Sequence, residues 1–83
     1  MEKRNFAEGR YAFWCDVVEE APGMFVCAIT FAHNLLSGSF QTKNFKLNVA
    51  FATAEMAMGV GEHYGRSMIR KHGDVVEYLA DKE

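Results

Sequence analysis

The chain has little of what the common functional signatures require. Only Cys15 and Cys27 are cysteines among its 83 residues, too few for a disulfide scaffold. Basic residues are in the minority: 9 Lys and Arg stand against 11 Asp and Glu, a net charge of −2. The electrostatic footprint of a general nucleic-acid binder is therefore missing. No apolar run approaches the roughly 18 residues that a membrane span needs. The opening MEKRNFAEGR has no apolar stretch after its charges and does not read as a secretory signal. There is no C-x-x-C pair and no G-x-S-x-G elbow, Ser37 and Ser39 flanking Gly38 in a loop-like setting instead. The glycines of GVGEHYG, residues 59–65, are spaced G-x-G-x-x-x-G and sit inside a helical segment. A dinucleotide fingerprint has a different spacing and opens its helix. These absences leave an expectation of no catalytic residue, no metal and no cofactor, in a cytoplasmic protein. His33, His63 and His72 do not change it, because their spacing brings no ligand set together.

What is present is a globular composition, with 49% hydrophobic and 24% charged residues, in a chain long enough for one small domain. Residues 1–9 are polar and without period, which predicts a flexible tail ahead of a single domain over 10–83. YAFWCDVV and MFVCAITFA are aromatic and β-branched and read as strands, joined through EEAPG, whose proline and glycine suit a turn. SFQTKNF, residues 39–45, reads as a third strand. A long helix is expected from an N-cap at Asn48 to a stop at Gly73. Arg70 and Lys71 near its end suit the negative pole of the helix dipole. VVEYLA, residues 75–80, reads as a last strand. The predicted fold is α+β, an antiparallel sheet of three to four strands with one helix on one face, in the order β-β-β-α-β.

A loop over residues 19–23 would set Val18 opposite Met24, so that Tyr11, Phe13, Cys15 and Val17 face Phe31, Ile29, Cys27 and Phe25. Alternation then puts all eight on one face. In the helix, Ala50, Ala54, Ala57, Gly61, Gly65 and Met68 share a narrow stripe at about 100° per residue. Small residues there predict close approach to the sheet, with Gly61 and Gly65 as packing devices. Gly59 falls on the opposite side and has no such reason. Glu62 and Arg66 form an i, i+4 pair of surface type.

One helix covers one face of a sheet. The other face is expected to expose Trp14, Val18, Met24 and Val26, joined by Phe45 if Phe31 lies opposite Phe40. Contiguous apolar surface of this kind marks an interaction site, and a small domain with a half-covered sheet gains from association. The expected function is a non-enzymatic interaction domain, forming a homodimer or binding a protein partner, with no membrane and no small-molecule substrate. The alternative is RNA or single-stranded nucleic acid on the same face, Trp14 stacking on a base while Arg10 and Lys43 meet phosphates. The β-β-β-α order resembles the partial RNase H-like domains of HicB-type antitoxins, which implies a toxin partner. It is also similar to double-stranded RNA-binding domains without their first helix.

Overall fold

The computed structural model describes residues 2–9, 11–34, 40–73 and 75. Four strands precede one helix: β1 (Glu2–Glu8), β2 (Tyr11–Ala21), β3 (Met24–Asn34), β4 (Phe40–Phe51) and α1 (Ala54–His72). The strands form one antiparallel sheet in the order β1-β2-β3-β4, and α1 packs on one face of it. The α+β class and the one-helix, one-face arrangement match the sequence reading. The observed order is β-β-β-β-α. The last strand expected over 75–80 lies, apart from the buried Val75, outside the described residues.

The amino terminus differs from expectation. Glu2–Glu8 is not a loose tail but an edge strand, paired with β2 from Glu2 opposite Val17 to Glu8 opposite Tyr11. Its sequence has one large apolar residue, Phe6, which turns toward the helix and stacks on Phe13 with ring centroids 5.2 Å apart. A strand this polar forms because its long neighbour β2 supplies the hydrogen-bonding edge. β-propensity depends on such pairing more than on intrinsic preference.

The β2–β3 hairpin keeps the expected faces with a different register. Trp14 lies opposite Thr30 and Val17 opposite Cys27, a displacement of two residues from the expected pairing. An even displacement leaves every side chain on its face. The cause is a tighter turn. Ala21 faces Met24, so only Pro22 and Gly23 connect the strands, and an irregularity between Glu19 and Ala21 absorbs the odd residue. Gly23 takes φ 74°, which its missing Cβ permits, and its N–H donates to the Glu19 carboxylate at 3.0 Å.

The β3–β4 pairing is displaced by an odd number, and this reverses the face of β4. Phe31 lies opposite Lys43 rather than Phe40, and Ile29 opposite Phe45. β4 also runs on to Phe51, through Asn48, so the helix starts later. Thr53 is its N-cap, with an Oγ1 that accepts the Met56 N–H at 3.1 Å. The signal is the alternation of Phe45, Leu47, Val49 and Phe51, a strand period of two that runs from the expected third strand past Asn48 into the start of the expected helix. The C-terminal stop at Gly73 is as expected: its φ is 69° and its N–H donates to Ile69 O at 3.0 Å.

The core lies between sheet and helix. Phe13, Cys15, Ile29, Phe31, Cys27 and Ala57 are fully buried there. Gly61 and Gly65 serve as expected. A Cβ at Gly61 would meet Cys27 Sγ and lie 3.1 Å from Cys15 Sγ, and one at Gly65 would lie 2.8 Å from Phe13 Cδ2. Gly59 faces open space.

Candidate interaction face

The face of the sheet turned away from α1 is built by register alone. Four cross-strand rows run over it, from β1 to β4. The first is Ala7, Ala12, Ala32 and Thr42. The second is Asn5, Trp14, Thr30 and Asn44. The third is Lys3, Asp16, Ala28 and Lys46. The fourth, which β1 does not reach, is Val18, Val26 and Ala50. The two central strands thus carry alanine, valine and Trp14 besides Asp16 and Thr30, and the two outer strands carry lysine, asparagine and threonine besides Ala7 and Ala50.

Trp14 is half-buried within this face. Lys3 Nζ lies 5.1 Å from the centroid of its ring, a cation–π placement. On the far side of the second row, the Asn44 amide donates to Thr30 Oγ1 at 2.9 Å. Beyond the fourth row, Lys46 Nζ reaches the Glu20 carboxylate at 2.8 Å. A shallow groove of about 330 Å³ runs there beside Glu20, Met24, Val26 and Ala50. Val18 and Met24 are 42% and 49% exposed, while Val26, between them and Ala50, is nearly covered at 9%.

Four of the five residues expected at an interface, Trp14, Val18, Met24 and Val26, therefore share this face. Phe45 does not. It points to the helix side, where its ring stacks on Tyr64 at 5.3 Å and 8° and packs on the core. Lys43, expected beside Trp14 as a phosphate contact, lies on the helix side for the same reason, being opposite Phe31. Arg10 lies outside the described residues. Phe6 is on the helix side too, so the amino-terminal segment covers Trp14 not by folding over it but by flanking it with Lys3 and Asn5.

Both edges of the described sheet are blunted. At β1, the Arg66 guanidinium donates to the outer carbonyl of Ala7 at 2.8 Å and to Glu8 Oε1 at 3.0 Å. Arg66 also pairs with Glu62 at 2.9 Å, and Arg70 Nε donates to Glu8 Oε2 at 3.0 Å. The hydrogen bonds from Arg70 and Arg66 hold the Glu8 carboxyl below its ordinary value. Those to Glu62 and Glu8 push Arg66 further up. At β4, lysines stand at 43 and 46, and three residues, Leu47 to Val49, lie against the single Cys27 of β3. Arginine capping, lysines and irregular pairing all discourage addition of a foreign strand.

The cysteines are neighbours under the helix, both free and buried. They are diagonal partners and not opposed ones, since Cys15 faces Ile29 and Cys27 faces Val17. Both Sγ atoms lie against Gly61 of α1. The hydrogen bond with Cys27, and burial after it, push the Cys15 thiol well above its ordinary value, which suppresses the reactive thiolate. Among the described residues, no three His, Cys, Asp or Glu side chains are grouped to hold a metal ion, and no helix is long and apolar enough to cross a membrane. A second groove, of about 460 Å³, lies between β1 and α1 beside Arg4, Glu55, Gly59 and Glu62; Gly59 borders it.

No protein-family model, no curated protein and no solved structure matches the chain.

Proposed function

We propose that the protein is a non-catalytic, cytoplasmic interaction domain that binds a protein through the helix-free face of its sheet. One observation carries the reading: α1 covers one face, and the other face leaves Val18 and Met24 about half exposed and Trp14 half-buried on the same side. Tryptophan is among the residue types most often found as interface anchors. The charge pattern favours protein over nucleic acid. Lys3 and Lys46 are offset by Asp16 and Glu20 on the same face, and phosphate binding depends on an uncompensated basic surface.

The chain has a single tryptophan, so its emission reports on this face. Trp14→Ser should keep the helix signal in circular dichroism and a cooperative melt, at a cost of about 1 kcal/mol or less. Unfolding of the variant would place Trp14 in the core and defeat the reading. A single-stranded RNA oligonucleotide, titrated at physiological salt, should leave Trp14 emission unchanged. Saturable quenching would move the assignment to nucleic acid.

A further inference from the structure

The helix-free face has the anatomy of a self-associating surface, and we infer that its occupant is a second copy of this chain, packed sheet to sheet. The inference rests on the interaction reading above and names the partner.

Area is the first argument. Strands of 7, 11, 11 and 12 residues, at a rise of about 3.3 Å and a spacing of about 4.8 Å, make a face of roughly 650 Å². A specific interface of ordinary size takes about 800 Å² from each partner, with a lower bound near 600. The face reaches this range only if it is used whole. A second sheet of the same dimensions uses it whole.

Polarity is the second argument. Across the strands the face reads polar, apolar, apolar, polar: Lys3 and Asn5 on β1, Trp14 and Val18 on β2, Val26 and Ala28 on β3, Asn44 and Lys46 on β4. Specific interfaces have such an apolar centre and a wet polar rim. The profile is also unchanged when the strand order is reversed. A two-fold axis parallel to the strands, between β2 and β3, performs that reversal and lays β2 of each copy over β3 of the other. Trp14 of each copy then sits over Thr30 of its mate, and Val18 over Val26. Sheets stack about 10 Å apart, a gap that alanines alone leave open and that two tryptophans help to fill.

Charge is the third. The face sums to zero among its described residues, with two lysines against Asp16 and Glu20, so two copies approach without net repulsion. Asp16, the one charge near the centre, keeps Lys3 as its cross-strand neighbour. The lysines meet only at the rim, where Lys46 is held by Glu20 at 2.8 Å. With both sheet edges blunted, face-to-face stacking is the route left to a second copy.

Light scattering on the full chain tests this. The wild type should have twice the 9.4 kDa chain mass and dissociate on dilution, with Trp14 emission shifting to the red. Ala28→Asp, which sets a second carboxylate against Asp16 of the mate at the centre of the face, should raise the dimer dissociation constant about 30-fold or more. Met56→Lys, at an exposed position of α1 on the opposite side of the sheet, should leave it unchanged. A wild type that stays monomeric at millimolar concentration overturns the second-copy assignment. The face as a surface then still stands, provided Trp14→Ser folds. A dimer that Ala28→Asp does not weaken overturns it as well, by placing the contact elsewhere.

Discussion

The two faces of the sheet are made by the same strands and have opposite characters. On the helix side, alternate residues of β2 and β3 are aromatic, branched or cysteine, and Phe13, Phe31 and Ile29 have no exposed surface. On the other side, the intervening residues are alanine, valine, threonine, one aspartate and one tryptophan, and Val18 and Met24 stay about half exposed. Large side chains on one face and small ones on the other show which face holds the fold together. The helix-side face is filled by volume, and two helix glycines make room for it. On the open face the side chains are small apart from Trp14 and Met24, and Trp14 is only half-buried.

The widest break of this comparison is Phe13→Ala. Phe13 packs against Phe6, Phe31 and the Gly65 backbone, and its loss should cost about 3–5 kcal/mol. Chemical denaturation measures it. The equivalent change one residue along, at Trp14, should cost far less. If the two variants lose stability equally, the faces do not differ as described.

A smaller effect sharpens the account of the helix side. Gly65→Leu improves helix propensity but drives a side chain into Phe13, and overpacking costs about 1–3 kcal/mol. Gly59→Ala enters open space and should raise stability by up to about 1 kcal/mol. Opposite shifts in melting temperature for these two glycines check the close-packing argument. Shifts of the same sign refute it.

The least of the three concerns the β1 edge. Glu8 has its carboxyl lowered from an ordinary 4.5 by Arg70 and Arg66. A group depressed on folding adds stability that is complete above its unfolded value and fades as pH falls through the folded one. The protection factors of the β1 amides, which divide out the intrinsic slowing of exchange in acid, should therefore fall selectively below pH 4.5, and Glu8→Gln should show the lower protection already at neutral pH. Exchange in β1 that is insensitive to both would mean that the Arg66 network does not hold the edge.

Much of this was legible from residue order. The strict alternation in YAFWCDVV and MFVCAITFA assigned two strands and both their faces, and an error of two in their register left the faces intact because side chains repeat every two residues. The stop at Gly73 was equally readable, since a helix C-terminus needs a residue tolerant of positive φ. The small-residue positions Ala57, Gly61 and Gly65 were legible as a packing stripe, because helical spacing brings them to one side whatever lies opposite.

What the linear order left open depended on partners far away in the chain. Glu2–Glu8 is polar and has no period of its own; it is a strand because β2 offers an edge and Arg66, almost sixty residues on, holds the Ala7 carbonyl and the Glu8 carboxylate. Phe45 and Lys43 changed faces on an odd displacement of β4, and that register was decided by the need to bury Phe45, Leu47 and Phe51 under α1. The positions of Trp14, Val18, Met24 and Val26 followed from local alternation. The neighbours that turn them into one face, Lys3 and Asn5 on one flank and Asn44 and Lys46 on the other, came only from pairing between distant strands, since hydrogen-bonded register is a property of two segments and is written in neither alone.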